Sequence, residues 1–354
     1  MIRAAIVGIG WWGRILVNAV QGKSAAIRFT AGYTRTRATA EDFCAEHSIA
    51  LANDLDALLA DPAVDAIVFA TPHSQHGPQV ERAAAAGKPV FMEKPFTLDV
   101  ASAERALDAA ARAGIVLAVA YPRRFHPSVA ELKGRIADGR LGVLSHCQSE
   151  QTAPAGLSMR ADYWRSDPVE APAGAMTATG VHSVDLLIHL FGRIDEVYCL
   201  SRRRVMARLE DTTAVLFGLA NGMSATLYCS LVTAVSARFA VFGTKGCAEL
   251  WTPEFQFRFS PTPEGPRTGR HAAATPEIIE YKGFNTLLAE LEAFAAAIRG
   301  EQAYPIPPAD ILHGVAVFEA IVHWPNATSR SRLRGHRRPW CRVGVLSIGP
   351  TWAR

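Results

Sequence analysis

Nowhere in the 354 residues do eighteen apolar side chains follow one another, so no segment reads as a membrane-spanning helix. The N-terminus lacks a basic stretch, an apolar core and a small-residue cleavage site in succession, so no secretory signal is expected. The six cysteines include no Cys-x-x-Cys pair. That argues against a zinc site or a disulfide framework and fits reduced thiols in a cytoplasmic protein. There is no internal repeat. Residues 326–354 contain no acidic side chain but seven arginines (Arg330, Arg332, Arg334, Arg337, Arg338, Arg342 and Arg354). Setting those seven aside turns the formal charge of +4 into −3, so the body of the chain is mildly acidic. The tail shows no basic–aromatic periodicity and no nucleic-acid-binding motif, and it reads as a peripheral extension. No nucleic-acid or membrane partner is expected. The abrupt change in its composition also fits an out-of-frame reading of a GC-rich gene.

What is present is an ordinary globular composition, 49% apolar and 20% charged, on a chain long enough for two cores. Residues 1–121 alternate strand-like and helix-like runs. Strands are predicted at Ile2–Val7, Ile27–Tyr33, Ala66–Ala70, Val90–Glu93 and Val116–Ala120. Helices are predicted at Arg14–Val20, Thr39–His47, Asp54–Ala60, Pro78–Ala86 and Val100–Arg112. The strands are continuously apolar, as strands buried on both faces must be, which predicts a doubly wound parallel sheet. After Tyr121 the rhythm changes. Helices are expected at Pro127–Asp138, Met176–Phe191, Asn285–Arg299 and Ala309–Val322. Successive strands run from Val197 to Ser260, with tight turns at Asn221-Gly222 and Gly243–Gly246. The fold class is therefore α/β: a dinucleotide-binding Rossmann domain (1–121), an α+β domain with a largely antiparallel open sheet (122–325), and the basic tail (326–354).

Gly8-x-Gly10-x-x-Gly13 follows the first strand and opens the first helix. In that context the first glycine permits a tight turn, the second lets backbone approach a pyrophosphate, and the third lets helix and strand pack closely. The helix N-terminus adds free N–H groups and partial positive charge. Trp11 and Trp12 occupy the variable positions and are bulky enough to cover the nicotinamide side. The second strand runs into Gly32-Tyr33-Thr34-Arg35-Thr36-Arg37, with no carboxylate to bond a ribose 2′-hydroxyl or repel a 2′-phosphate. Thr34 can donate a hydrogen bond and Arg35 or Arg37 can pair with phosphate, which favours NADP(H) over NAD(H).

Glu93-Lys94-Pro95 ends a parallel strand at the edge where open α/β sheets bind ligands. An ammonium there can polarise a carbonyl or hydroxyl oxygen and exchange a proton. Together with the glycine turn, this motif resembles the glucose–fructose oxidoreductase / inositol dehydrogenase (Gfo/Idh/MocA) family, and the likeness covers most of residues 2–322. Thr71-Pro72-His73-Ser74-Gln75-His76, Arg123-Arg124-Phe125-His126-Pro127, Gly180-Val181-His182-Ser183-Val184-Asp185, Asp211-Thr212 and Gly243-Thr244-Lys245-Gly246 extend it. The resemblance implies that Lys94 and His182 are catalytic, with His182 facing the nicotinamide as partner to the lysine. It implies that Thr71, His73, His76, Glu93 and Lys94 itself border the cofactor. It also implies that Arg123, Tyr163 and Trp164 contact substrate along with His182, and that the protein is a homodimer or homotetramer. One departure stands out: many family dehydrogenases carry Asp four residues before the histidine, where this chain has Ala178. An inositol substrate therefore does not carry over. His182, Asp185 and His189 share a helical face, but hydride chemistry needs no metal and Asp185 is read as a structural partner.

The expected function is NADP(H)-dependent hydride transfer to or from a sugar, polyol, cyclic diol or related hydroxy/oxo compound. Two rivals remain: a non-catalytic dinucleotide- or sugar-binding regulator, and a glycosidase using the dinucleotide as a transient oxidant.

Overall fold

The computed structural model describes residues 1–251, 256–263 and 275–324, and the backbone of 346–347. It divides into two compact units, Met1–His126 with Gly283–Val315, and Pro127–Lys282 with Ala316–Arg354.

In the first unit the chain runs β1 (Ile2–Val7), α1 (Trp11–Val20), β2 (Ile27–Tyr33), α2 (Glu41–Glu46), β3 (Ala50–Leu51), α3 (Leu55–Ala60), β4 (Ala66–Phe69), α4 (His76–Ala85), β5 (Val90–Met92), α5 (Val100–Ala113) and β6 (Leu117–Val119). The six strands are parallel, in the order β3-β2-β1-β4-β5-β6. Every residue of β4 and β5 is buried, because helices cover both faces of the sheet. Successive side chains on β1 serve opposite cores. Ala4 and Ile6 pack with Leu16, Val17 and Val20 of α1, whereas Ala5 and Val7 join the side packed by Leu58, Val80 and Ala106. The Asp54 carboxylate caps α3 by accepting the Ala57 N–H at 2.8 Å, and Gly114 ends α5 at φ 64°.

The predicted helix Thr39–His47 is shorter than expected. Thr39 gives both its N–H and its hydroxyl to the Thr36 carbonyl, closing a 3-10 turn over Arg37–Thr39 before α2 begins. The helix expected from Arg14 begins earlier, at Trp11, with Gly10 as its N-cap.

The second unit opens with α6 (Pro127–Ala137) and β7 (Leu144–Thr152). A five-residue π-turn (Met176–Gly180) leads into α7 (Val181–Phe191), followed by β8 (Ile194–Arg202), β9 (Thr212–Leu219), β10 (Ser224–Ser230), β11 (Ser236–Gly243), β12 (Gly246–Trp251), β13 (Gln256–Pro261) and β14 (Glu277–Ile279). The chain then returns to the first unit with α8 (Thr286–Ile298), whose Leu291, Phe294 and Ala295 belong to that unit's core, and α9 (Pro308–Val322) begins in the first unit and ends in the second. β15 (Leu346–Ser347) completes a nine-stranded sheet, β14-β13-β12-β11-β7-β10-β9-β8-β15. All its pairings are antiparallel except β7 with β10. Asn221-Gly222 forms the expected hairpin turn, with Gly222 at φ 86°. Apart from β15, the arginine-rich tail lies outside the described residues.

Candidate active site

The strand order reverses direction between β1 and β4, and at such a switch point the carboxyl ends of the strands leave a crevice for a ligand. Four predicted segments follow four of these strands: Gly8–Gly13 after β1, Thr34-Arg35 after β2, Thr71–His76 after β4, and Glu93-Lys94 after β5.

The three glycines have separate tasks. A Cβ on Gly8 would lie 2.3 Å from the Ala70 carbonyl oxygen, and φ at Gly8 is +92°. A Cβ on Gly13 would lie 2.1 Å from the Gly8 oxygen, so only glycine lets α1 close against its own turn. Gly10 differs, since a Cβ there meets nothing within 4 Å. It caps α1 without a side-chain hydrogen bond, leaving first-turn N–H groups for an anion. The turn therefore fits a dinucleotide pyrophosphate. Gly13→Ala should destabilise the fold by about 2–4 kcal/mol through overpacking against backbone. Gly10→Val should leave the melting temperature within about 2 °C yet weaken NADPH binding at least tenfold, roughly the loss of one charge-assisted hydrogen bond. Paired thermal melts and NADPH titrations check both.

At the end of β2, Arg37 pairs with Glu41 at 3.2 Å and donates to the Leu51 carbonyl at 3.3 Å. Arg14 lies 5.1 Å above the Phe43 ring and donates to the Thr39 carbonyl. Arg35 is exposed and has no hydrogen-bond or ion-pair partner among the described residues.

After β4, Thr71 donates its hydroxyl to Gln79 Oε1 at 2.6 Å, and His73 is buried. His76 is fully buried; its Nδ1 lies 2.9 Å from the Pro95 carbonyl oxygen and its Nε2 lies 3.1 Å from that of Thr71. This imidazole holds the turn after β4 against the turn after β5. There Lys94 is half-buried, with a cis peptide to Pro95. Glu93 is buried; its Oε1 accepts the Trp12 indole N–H at 2.5 Å and its Oε2 accepts the Lys94 backbone N–H at 3.2 Å. Trp11, by contrast, is 67% exposed.

Arg123 follows β6. The chain two residues before it, at Tyr121, is fixed by a residue that sequence patterning alone does not single out. Glu290 of α8, fully buried, accepts the Tyr121 N–H at 2.5 Å and the Tyr304 hydroxyl at 3.2 Å. A lone carboxylate within the apolar run Leu287-Leu288-Ala289-Glu290-Leu291 was the available signal. Arg124 adds an ion pair to Asp310 at 2.9 Å.

In the second unit, His182 stands half-buried on the first turn of α7. Instead of a continuous α-helix from Met176, the chain makes the π-turn. A Cβ on Gly180 would meet Met176 Sδ at 2.3 Å and Cys229 Sγ at 3.2 Å, so glycine allows the turn to settle on β10. On the other side of His182, Ser183 accepts the Ser149 hydroxyl at 2.8 Å, which ties α7 to β7. Ala178 lies in the π-turn, half-buried. Tyr163 and Trp164 lead a 3-10 turn with their rings 5.9 Å apart, and the Arg165 guanidinium lies 4.7 Å over Trp164. Asp211 turns out to be a loop anchor. Burial pushes its carboxyl up, but the backbone N–H groups of Arg204, Val205 and Met206 donate to Oδ2 and leave the group below the usual carboxylate range. Among the described residues no three His, Cys, Asp or Glu side chains are placed to hold a metal ion, and no helix is long and apolar enough to cross a membrane.

Residues 2–121 match the oxidoreductase family with an NAD-binding Rossmann fold, GFO/IDH/MocA, and residues 129–249 match the GFO/IDH/MocA C-terminal domain. The chain belongs to the GFO/IDH/MocA oxidoreductase family. It is 28% identical over 253 residues to the trans-1,2-dihydrobenzene-1,2-diol dehydrogenase of Macaca fascicularis, covering 68% of this chain and 74% of that one. Its fold is that of levoglucosan dehydrogenase, solved with NADH and levoglucosan (TM-score 0.80, 18% identity, 91% and 96% of the two chains). It is also that of a 3-ketoreductase from Actinomadura kijaniata solved with NADP (TM-score 0.76, 20% identity, 90% and 96%). The family description names an NAD-binding Rossmann fold, which covers the cofactor class and leaves the choice between phosphorylated and unphosphorylated dinucleotide to the residues of the turn after β2.

Proposed function

We propose that this family member is an NADP(H)-preferring dehydrogenase or reductase that interconverts a hydroxyl and a carbonyl on a sugar, polyol, cyclic diol or similar compound. The observation that carries the reading is Lys94: a half-buried lysine at the carboxyl end of β5, its backbone N–H held by Glu93 and its neighbour Pro95 held through the carbonyl oxygen that faces His76. Gly8, Gly10 and Gly13, with the first-turn N–H groups of Trp11 and Trp12, would hold the pyrophosphate. Thr34 and Arg35 would hold the ribose phosphate, and Thr71, His73 and Glu93 would border the remainder, with His76 bracing them from behind. A bound nicotinamide dinucleotide supplies or takes up the hydride. Lys94 polarises the substrate oxygen, and His182 gives or takes the proton at a ring nitrogen. Arg123, Tyr163 and Trp164 orient the substrate. A panel of sugars, inositols and cyclic diols, followed by NADPH absorbance with Lys94→Ala as control, tests the reading. Turnover of a panel member that the variant loses supports it, and bond cleavage without net change in NADPH would point to the glycosidase instead.

The protein acts in this reading as a homo-oligomer joined through the open face of its large sheet. Leu200, Leu216, Tyr228, Trp251 and Ile278, on five different strands, share that face and are each 39–52% exposed. Five exposed apolar side chains set among Glu150, Arg238 and Arg258 on one sheet face give the mixture of apolar anchors and charged groups that a subunit interface uses. Leu216→Glu combined with Tyr228→Glu should reduce the light-scattering mass to that of one chain. An unchanged mass would place the interface elsewhere.

A further inference from the structure

Trp12 is the second residue of α1, within the turn that fits a pyrophosphate. Helical side chains lean toward the helix N-terminus, which here carries the indole toward the carboxyl edge of the sheet. Glu93 follows β5, and β4 lies between β5 and the strand that leads into α1. Two strand spacings amount to about 10 Å, which a side chain spans only if it is long and carries its donor at the far end. The indole meets both conditions, and its Nε1–H reaches Glu93 Oε1. The other oxygen of the same buried carboxylate accepts the Lys94 backbone N–H. Glu93 therefore joins the first turn of α1 to the Lys94 peptide. A buried carboxylate takes its orientation from its donors, and the indole N–H is one of those that orient Glu93, so removing it loosens that orientation. Trp11 packs its ring against that of Trp12, with the ring centroids 5.5 Å apart.

We propose that Trp12 is a positioning residue for Lys94, acting through Glu93. The proposal rests on the reading of Lys94 as the group that handles the substrate oxygen. It deepens that reading by making the phosphate turn and the lysine one mechanical unit.

Trp12→Phe keeps an aromatic ring and removes the donor. Glu93→Met keeps the length of the side chain and removes the acceptor. The single and double variants are compared with the parent in three ways: kcat and KM on the substrate that the panel yields, NADPH affinity by fluorescence titration, and the indole N–H resonance in ¹H–¹⁵N spectra, assigned by its loss in Trp12→Phe. Trp12→Phe is expected to lower kcat about tenfold, the effect of one hydrogen bond that aligns a reacting group, with NADPH affinity within about threefold of the parent. In the Glu93→Met background the same substitution should change kcat less than twofold, because residues acting as one unit are not additive. The Trp12 indole resonance should shift in Glu93→Met. Equal losses in both backgrounds, an unshifted resonance, or a kcat unchanged by Trp12→Phe would each overturn the proposal. If Lys94→Ala is inactive and Trp12→Phe is fully active, this proposal alone fails. If Lys94→Ala is active, the reading of Lys94 fails and takes the proposal with it.

Discussion

Lys94→Ala is expected to lower turnover about a thousandfold or more, in the range found when a polarising or proton-exchanging group is deleted. NADPH affinity should stay within about threefold, because the groups proposed to hold the phosphates lie on other segments. The separation follows from where the lysine sits. The N–H groups proposed to bind phosphate belong to α1, and Arg35 lies beyond β2, whereas Lys94 extends from β5. Its backbone is held independently of its ammonium, by the Glu93 carboxylate and by Pro95, whose carbonyl oxygen faces His76. Truncation at Cβ removes the charge and leaves both of these backbone contacts in place. A thermal melt of the variant beside the parent checks that the turn is kept. Single-turnover and steady-state measurements on the panel substrate, beside an NADPH titration, check the split. A kcat within tenfold of the parent would remove Lys94 from the chemistry, and a parallel collapse of NADPH affinity would make it a binding residue.

The parts of the fold that could be read in advance are those written in local periodicity and punctuation. The β1–α1 turn, the Asp54 cap, the Gly114 stop and the Asn221-Gly222 hairpin each depend on a few neighbouring residues. So does the continuous apolar character of β4 and β5. What escaped depends on partners far along the chain. Trp12 and Glu93 were both picked out, yet nothing local says that an indole 81 residues away orients that carboxylate. Glu290 bonds Tyr121 across 169 residues, and helical periodicity in α8 carries no information about which core receives Leu291 and Phe294. The π-turn before His182 was hidden for another reason. Met176-Thr177-Ala178-Thr179-Gly180 is compatible with ordinary helix, and the turn takes its shape from Met176 and Cys229 pressed against a glycine. Residue chemistry could be assigned early, whereas the geometry that focuses it needed the tertiary structure.

Arg35→Ala should weaken NADPH binding about ten- to a hundredfold while NADH binding changes less than about twofold. The first figure corresponds to the loss of roughly 1.5–3 kcal/mol from hydrogen bonds to a charged group. Three arginines lie near the end of β2, and the structure separates them. Arg37 is committed to Glu41 and the Leu51 carbonyl, and Arg14 to Phe43 and the Thr39 carbonyl. Arg35 is exposed and retains its full donor set, and Thr34 beside it offers a hydroxyl. A planar guanidinium pairs with two phosphate oxygens at once, which lysine cannot match, so Arg35→Lys should recover only part of the affinity. Arg35→Asp should go further than alanine. It removes the attraction, adds repulsion toward a 2′-phosphate and supplies an acceptor for a 2′-hydroxyl, so the preference should invert toward NADH. Arg37→Ala is the control: it breaks the Glu41 pair at the surface and should shift NADPH affinity by no more than about threefold. The attraction is electrostatic and exposed, so the parent's advantage for NADPH should also shrink as salt rises from 0.05 to 0.5 M, while Arg35→Ala should show little salt dependence. Equal NADPH and NADH affinities in the parent, or a preference untouched by Arg35→Ala, would place the choice of cofactor elsewhere in the turn.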